Sequence, residues 1–97
     1  MSTTTQAPTL IQKEQLGELH FPSSEVLSTP DAIRLRRAEL DRALVLGNVD
    51  HNKVRIVFVD SEGPKVVETT IWAVTDLRII LKSGAGIPIH RITEIVT

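Results

Sequence analysis

Three histidines, one glycine-rich stretch, a carboxylate inside a strand pattern and a cluster of arginines are the residues of this 97-residue chain that could do chemistry. His20, His51 and His90 lie far apart, and no pair has the i, i+4 spacing that puts two ligands on one helix face. A metal site needs three or four convergent N, O or S donors, so solvated loop histidines, with one at a turn, are the expectation. There is no Cys, hence no disulfide, thiolate ligand or Cys nucleophile. Ser and Thr are plentiful, but no Gly-x-Ser-x-Gly elbow is present. Ser83-Gly84-Ala85-Gly86 lies between two strand patterns, with Pro88 soon after. Phosphate-cradling loops instead follow a strand and open a helix, so a hairpin turn is expected. No catalytic residue, cofactor or metal is assigned, and the chain reads as a non-enzyme.

Glu68 sits within a β-branched run, where a buried acid would have a raised pKa and mark a site. Unpaired Glu is rarely buried, so the expectation is a cross-strand pair with Arg55, Arg78 or Lys82. Trp72, the only Trp, lies between Ile71 and Ala73 and is expected in the core with Phe58. With Phe21 these are the only aromatics, and there is no Tyr. Stacking platforms for nucleic acid and aromatic grooves for proline-rich peptides need more. Arg34, Arg36, Arg37 and Arg42 are interleaved with Asp31, Glu39 and Asp41, which reads as a solvated, ion-paired helix face with Arg37 and Asp41 paired. Arg34, Arg37 and Phe21 are the candidate interaction residues. The formal charge is −2 over residues 1–28, +1 over 29–47 and 0 over 48–97. Nothing in that balance calls for a polyanion or an anionic membrane.

The elements that would position these residues follow from local signals. Residues 1–9 are polar and Thr-rich and read as a tail. Residues 10–28 carry scattered apolar side chains. A short helix over 10–19 is weakened by Gly17 and stopped by Pro22, so an extended arm docking Phe21 is preferred; 1–28 together form the tail and arm. Residues 29–97 form the domain. Thr29, Pro30 and Asp31 mark a helix start, and Gly47-Asn48 reads as its stop. The helix is expected over 30–46, with Ile33, Leu40 and Leu44 as its apolar stripe. Strands are expected over 53–59, 66–74, 77–82 and 87–89, with Gly63 at positive φ in the first turn. Ile89, Ile92 and Ile95 are three apart, which one extended strand cannot place on a single face. A 3₁₀ turn over 90–92 and a short last strand would do so.

The fold class is therefore α+β, mainly β: one helix followed by a bent antiparallel sheet of four to five strands closing as a small barrel, with an open four-stranded sheet and the helix across one face as the alternative. Short strands, tight turns and Ile87-Pro88-Ile89-His90-Arg91-Ile92 resemble the SH3-like and Sm-like small barrels over residues 53–97. The run Val66-Val67-Glu68-Thr69-Thr70-Ile71-Trp72-Ala73-Val74-Thr75-Asp76 also resembles a group of short uncharacterised bacterial proteins, a likeness that implies no activity or ligand. The expected function is a non-catalytic interaction or scaffolding module with a protein partner. Adjacent apolar residues in 56–59, 71–74 and 79–81 point to both sheet faces, so self-association on an outer sheet face or edge is expected. The alternative is a nucleic-acid-associated regulator of the Sm-like kind, which the charge and the few aromatics disfavour; a small enzyme is a remote third. The start has no secretory signal and no apolar run spans a bilayer, so cytoplasmic is the default location.

Overall fold

Over Val54–Asp60 side chains alternate between interior and exterior, and the chain folds as two sheets with a helix against them. The computed structural model describes residues 7–97. Element order is β1 (Thr9–Leu10), a 3₁₀ helix (Lys13–Glu18), α1 (Pro30–Asp50), β2 (Val54–Asp60), β3 (Gly63–Thr69), β4 (Ile71–Val74), β5 (Arg78–Leu81), β6 (Gly86–Pro88), a 3₁₀ turn (Ile89–Arg91) and β7 (Ile92–Val96). One sheet has strand order β1-β3-β2-β7 and the other β4-β5-β6. The class is α+β, with seven strands among the described residues in place of four or five. Hydrogen bonds do not join the two sheets into a closed barrel.

The single strand expected over 66–74 is two strands. Residues up to Thr69 pair with β2, whereas Ile71 onward pairs with β5. The chain passes between sheets at buried Thr70, whose carbonyl accepts from the Lys82 N–H at 3.0 Å. The first turn is as expected: Asp60 pairs with Gly63, which has φ 132°. Asp60 is buried, and its carboxylate accepts from the N–H groups of Glu62 and Gly63 and from Lys65 Nζ. The 3₁₀ turn comes one residue earlier than predicted, and Ile92 and Ile95 are buried with Ile89 packed against the same core.

The helix starts as read. Thr29 Oγ1 accepts from the Ala32 N–H at 3.1 Å, and Pro30 is the first helical residue. It does not stop at Gly47. It runs to Asp50, and His51 closes it at φ 57°, donating its N–H to the Gly47 carbonyl. Gly47 is buried within the helix because α1 crosses β4 there. A Cβ on Gly47 would lie 2.5 Å from the Ile71 carbonyl oxygen and 3.2 Å from Thr70 Cγ2. The inward row is Arg36, Leu40, Ala43 and Gly47, and Ile33, expected inside, is 37% exposed. Leu40 and Ala43 join a core built from both sheets around Ile56, Phe58, Val67, Ile71, Ile79, Leu81, Ile87, Ile92 and Ile95.

Residues 1–6 of the expected tail lie outside the described residues. Thr9 and Leu10 form a parallel pair with Lys65 and Val66 of β3. The arm contains six residues of 3₁₀ helix, and its Leu16 is a core residue. Beyond it, Phe21 packs on Phe58 with ring centroids 5.8 Å apart.

Candidate interaction surface

Most polar groups that could have formed a site instead hold the arm and the sheet edges. The Ser61 N–H donates to the His20 carbonyl at 2.8 Å, and the Val26 N–H to the His90 carbonyl at 2.9 Å. His90 Nε2 donates to the Pro22 carbonyl at 3.0 Å. Arg91, buried in the 3₁₀ turn, donates from Nε to the Val59 carbonyl and from Nη1 to the carbonyl and hydroxyl of Ser24. Arg36 is 4% exposed, and its Nη1 and Nη2 each donate to the Glu25 carboxylate at 2.7 Å. This fork-on-fork pair holds the Glu25 carboxyl down at about 2, the hydrogen bond from Arg36 outweighing the upward push of burial.

Arg36 Nη1 also donates to the Ile92 carbonyl, and Glu39 accepts from the Ile95 N–H. Both strand groups belong to β7, which ends its sheet. Helix side chains thus satisfy backbone groups that an open strand edge would offer to another chain. Asp60 obeys the same logic. Burial alone would raise its carboxyl, but Lys65 and the turn N–H groups outweigh that and hold it below the ordinary range.

Glu68 pairs with Arg55, as the cross-strand spacing predicts, with Nη2 to Oε2 at 2.6 Å. Arg34 pairs with Asp31, while among the described residues no ion pair joins Arg37 to Asp41. The candidate residues are not one site. Arg34 and Arg37 are exposed on α1, whereas Phe21 is half-buried against the core. Arg36, grouped with the solvated arginines, is interior. Among the described residues no three His, Asp or Glu side chains come together, and no helix is long and apolar enough to cross a membrane. The hollow between the arm and β3, about 250 Å³, is edged by Lys13, Glu14, Lys53 and Glu68, and Glu68 is already committed to Arg55.

Exposed apolar side chains are concentrated in two places. One is the β4–β5 hairpin, where Trp72 is 51% exposed and Leu77 76%. Trp72 is not a core residue. The β4–β5 register slips between Ile71 and Ala73, so Trp72 is the extra residue of a bulge and points out while Ile71 fills the interior. The other is the outer side of α1, where Leu35 and Val45 are each 60% and Val49 69% exposed. Reading the helix by one stripe missed these. The signal was present as Leu35, Ala38, Val45 and Val49, which share the side opposite Leu40. No family model, curated protein or solved structure matches this chain.

Proposed function

We propose that this chain is a non-catalytic protein-interaction module built on an SH3-like small barrel. The observation that carries the functional reading is the outer side of α1, a helix that fills the core with one row and leaves Leu35, Val45 and Val49 in water. Exposed apolar side chains gathered on one side of a helix, interrupted here by Arg42 alone, mark association. The barrel reading is supported by the strand order β7-β2-β3, continued through Thr70 into β4-β5-β6, and by the 3₁₀ turn before β7. A second support is the allocation of polar groups: His90, Arg91, Arg36, Glu25, Asp60 and Lys65 all have structural partners.

The test is capture of the full chain from its source cell under native conditions, with protein and nucleic acid both analysed. A stoichiometric protein partner, or the chain itself, supports the module. Nucleic acid recovered in a salt-sensitive manner, with no protein partner, replaces it with the regulator reading.

A further inference from the structure

We propose that α1 pairs antiparallel with α1 of a second copy of this chain, through a seam of Leu35, Ala38, Arg42, Val45 and Val49. The proposal rests on the interaction-module reading and names its partner. The five residues are spaced 3, 4, 3, 4, the alternation of a coiled-coil seam. The inward row of Arg36, Leu40, Ala43 and Gly47 is on the other side. Val49 follows Leu40 by nine residues, which at 3.6 per turn is about two and a half turns. All five seam residues are exposed, and no element of the described chain lies over them.

Size and charge within the seam specify a second copy and its direction. Arg42 breaks an otherwise apolar row, and Ala38 is the small member. In an antiparallel pair whose two-fold axis passes at the level of residue 40, Arg42 of each copy lies over Ala38 of the other, where there is room for it. Asp41, exposed, flanks that position, so each guanidinium meets a carboxylate across the axis. Leu35 then meets Val45, an apolar layer on each side of the axis, and beyond it Val49 lies at the level of Asp31 in the first turn of the other copy. A parallel, in-register pair would instead stack Arg42 on Arg42 in the seam, which like charges oppose. From Leu35 to Val49 the seam is about 21 Å long, short enough that the interface belongs at the weak, transient end of the range.

The chain has no native cysteine, so introduced thiols report the geometry. Full-length chain carrying Leu35→Cys and Val45→Cys together is oxidised gently and run without reductant. A covalent dimer is expected, since facing seam residues meet disulfide geometry. Leu35→Cys alone should stay monomeric, because antiparallel copies place those two positions about 15 Å apart along the axis. A covalent dimer from that single variant means parallel packing and overturns the proposal. Light scattering over a concentration series is the second arm. The unmodified chain should dimerise, and Val45→Glu should raise the dissociation constant at least about tenfold, with unchanged melting at dilutions where both chains are monomeric, as the site is exposed. A chain that remains monomeric at roughly millimolar concentration overturns the pairing, while the interaction-module reading is still decided separately by the capture experiment.

Discussion

Replacing Gly47 with Ala sets two effects of opposite sign against each other. Within a helix, Ala is favoured over Gly by about 1 kcal/mol, so propensity alone predicts stabilisation. The new Cβ, however, would lie 2.5 Å from the carbonyl oxygen of Ile71 and 3.2 Å from Thr70 Cγ2. The nearer atom is backbone and cannot swing aside. Relief requires α1 to move off β4 by most of an ångström, and Leu40 and Ala43 on the same row are fully buried. Overpacking of this kind costs about 1–3 kcal/mol, occasionally more, and the lost packing of the displaced row adds to it. The expected net loss is about 1–2 kcal/mol, or a fall in Tm of about 5–10 °C for a domain of this size. Far-UV circular dichroism on heating and in urea is the suitable assay, because exposed Trp72 makes fluorescence a poor reporter. Gly17→Ala is the internal contrast. A Cβ there meets nothing within 4 Å, so its stability should be unchanged or raised by up to about 1 kcal/mol. An unchanged or higher Tm for Gly47→Ala would refute the seating of α1 on β4.

Three further outcomes are expected. The Glu25 carboxyl, held at about 2 against an ordinary 4.5, contributes stability that is fully present above pH 4.5 and lost as pH falls toward 2; discounted for its 32% side-chain exposure, this is on the order of 1–2 kcal/mol. The Tm gap between the natural chain and Glu25→Gln should therefore narrow from pH 7 to pH 3, and a gap independent of pH would contradict the Arg36 pairing. Phe58→Ala should cost about 3–5 kcal/mol and leave little folded protein, whereas Trp72→Ala should stay within about 1 kcal/mol; blue-shifted emission from Trp72 that iodide cannot quench would show the side chain to be interior after all. Gly63→Val should lose about 1 kcal/mol or more in urea unfolding, because φ 132° strains a β-branched side chain, and unaltered unfolding would reject that turn.

Local chemistry made much of this fold legible. Thr29, Pro30 and Asp31 start the helix because capping and the helix dipole act within one turn. Gly63 and the stretch 83–86 mark turns because φ is a property of single residues. Arg55 and Glu68 meet because a two-residue turn fixes the register between β2 and β3. The α+β class and the strand regions follow from period and composition in the same way. The heptad spacing of Leu35, Ala38, Arg42, Val45 and Val49 was also in the sequence, although nothing local says which side of a two-sided helix faces water.

Only the tertiary structure decided that, through groups remote in sequence. Arg36 is interior because Glu25, eleven residues away, and the Ile92 carbonyl, fifty-six away, converge on it. Those partners compensate the burial of a charge that an unpaired Arg could not sustain, while Ile33 is on a side of α1 that stays partly exposed. Gly47 reads as a stop by its propensity and acts as a contact, because β4 passes against it. Trp72 faces out because its neighbour Ile71 fills the interior, and the bulge in pairing with β5 breaks the alternation after it, leaving Ala73 exposed as well. The arm is part of the fold because Arg91 reaches Ser24 across sixty-seven residues. Spacing along a chain fixes which residues share a face; burial depends on what the rest of the chain brings to that face.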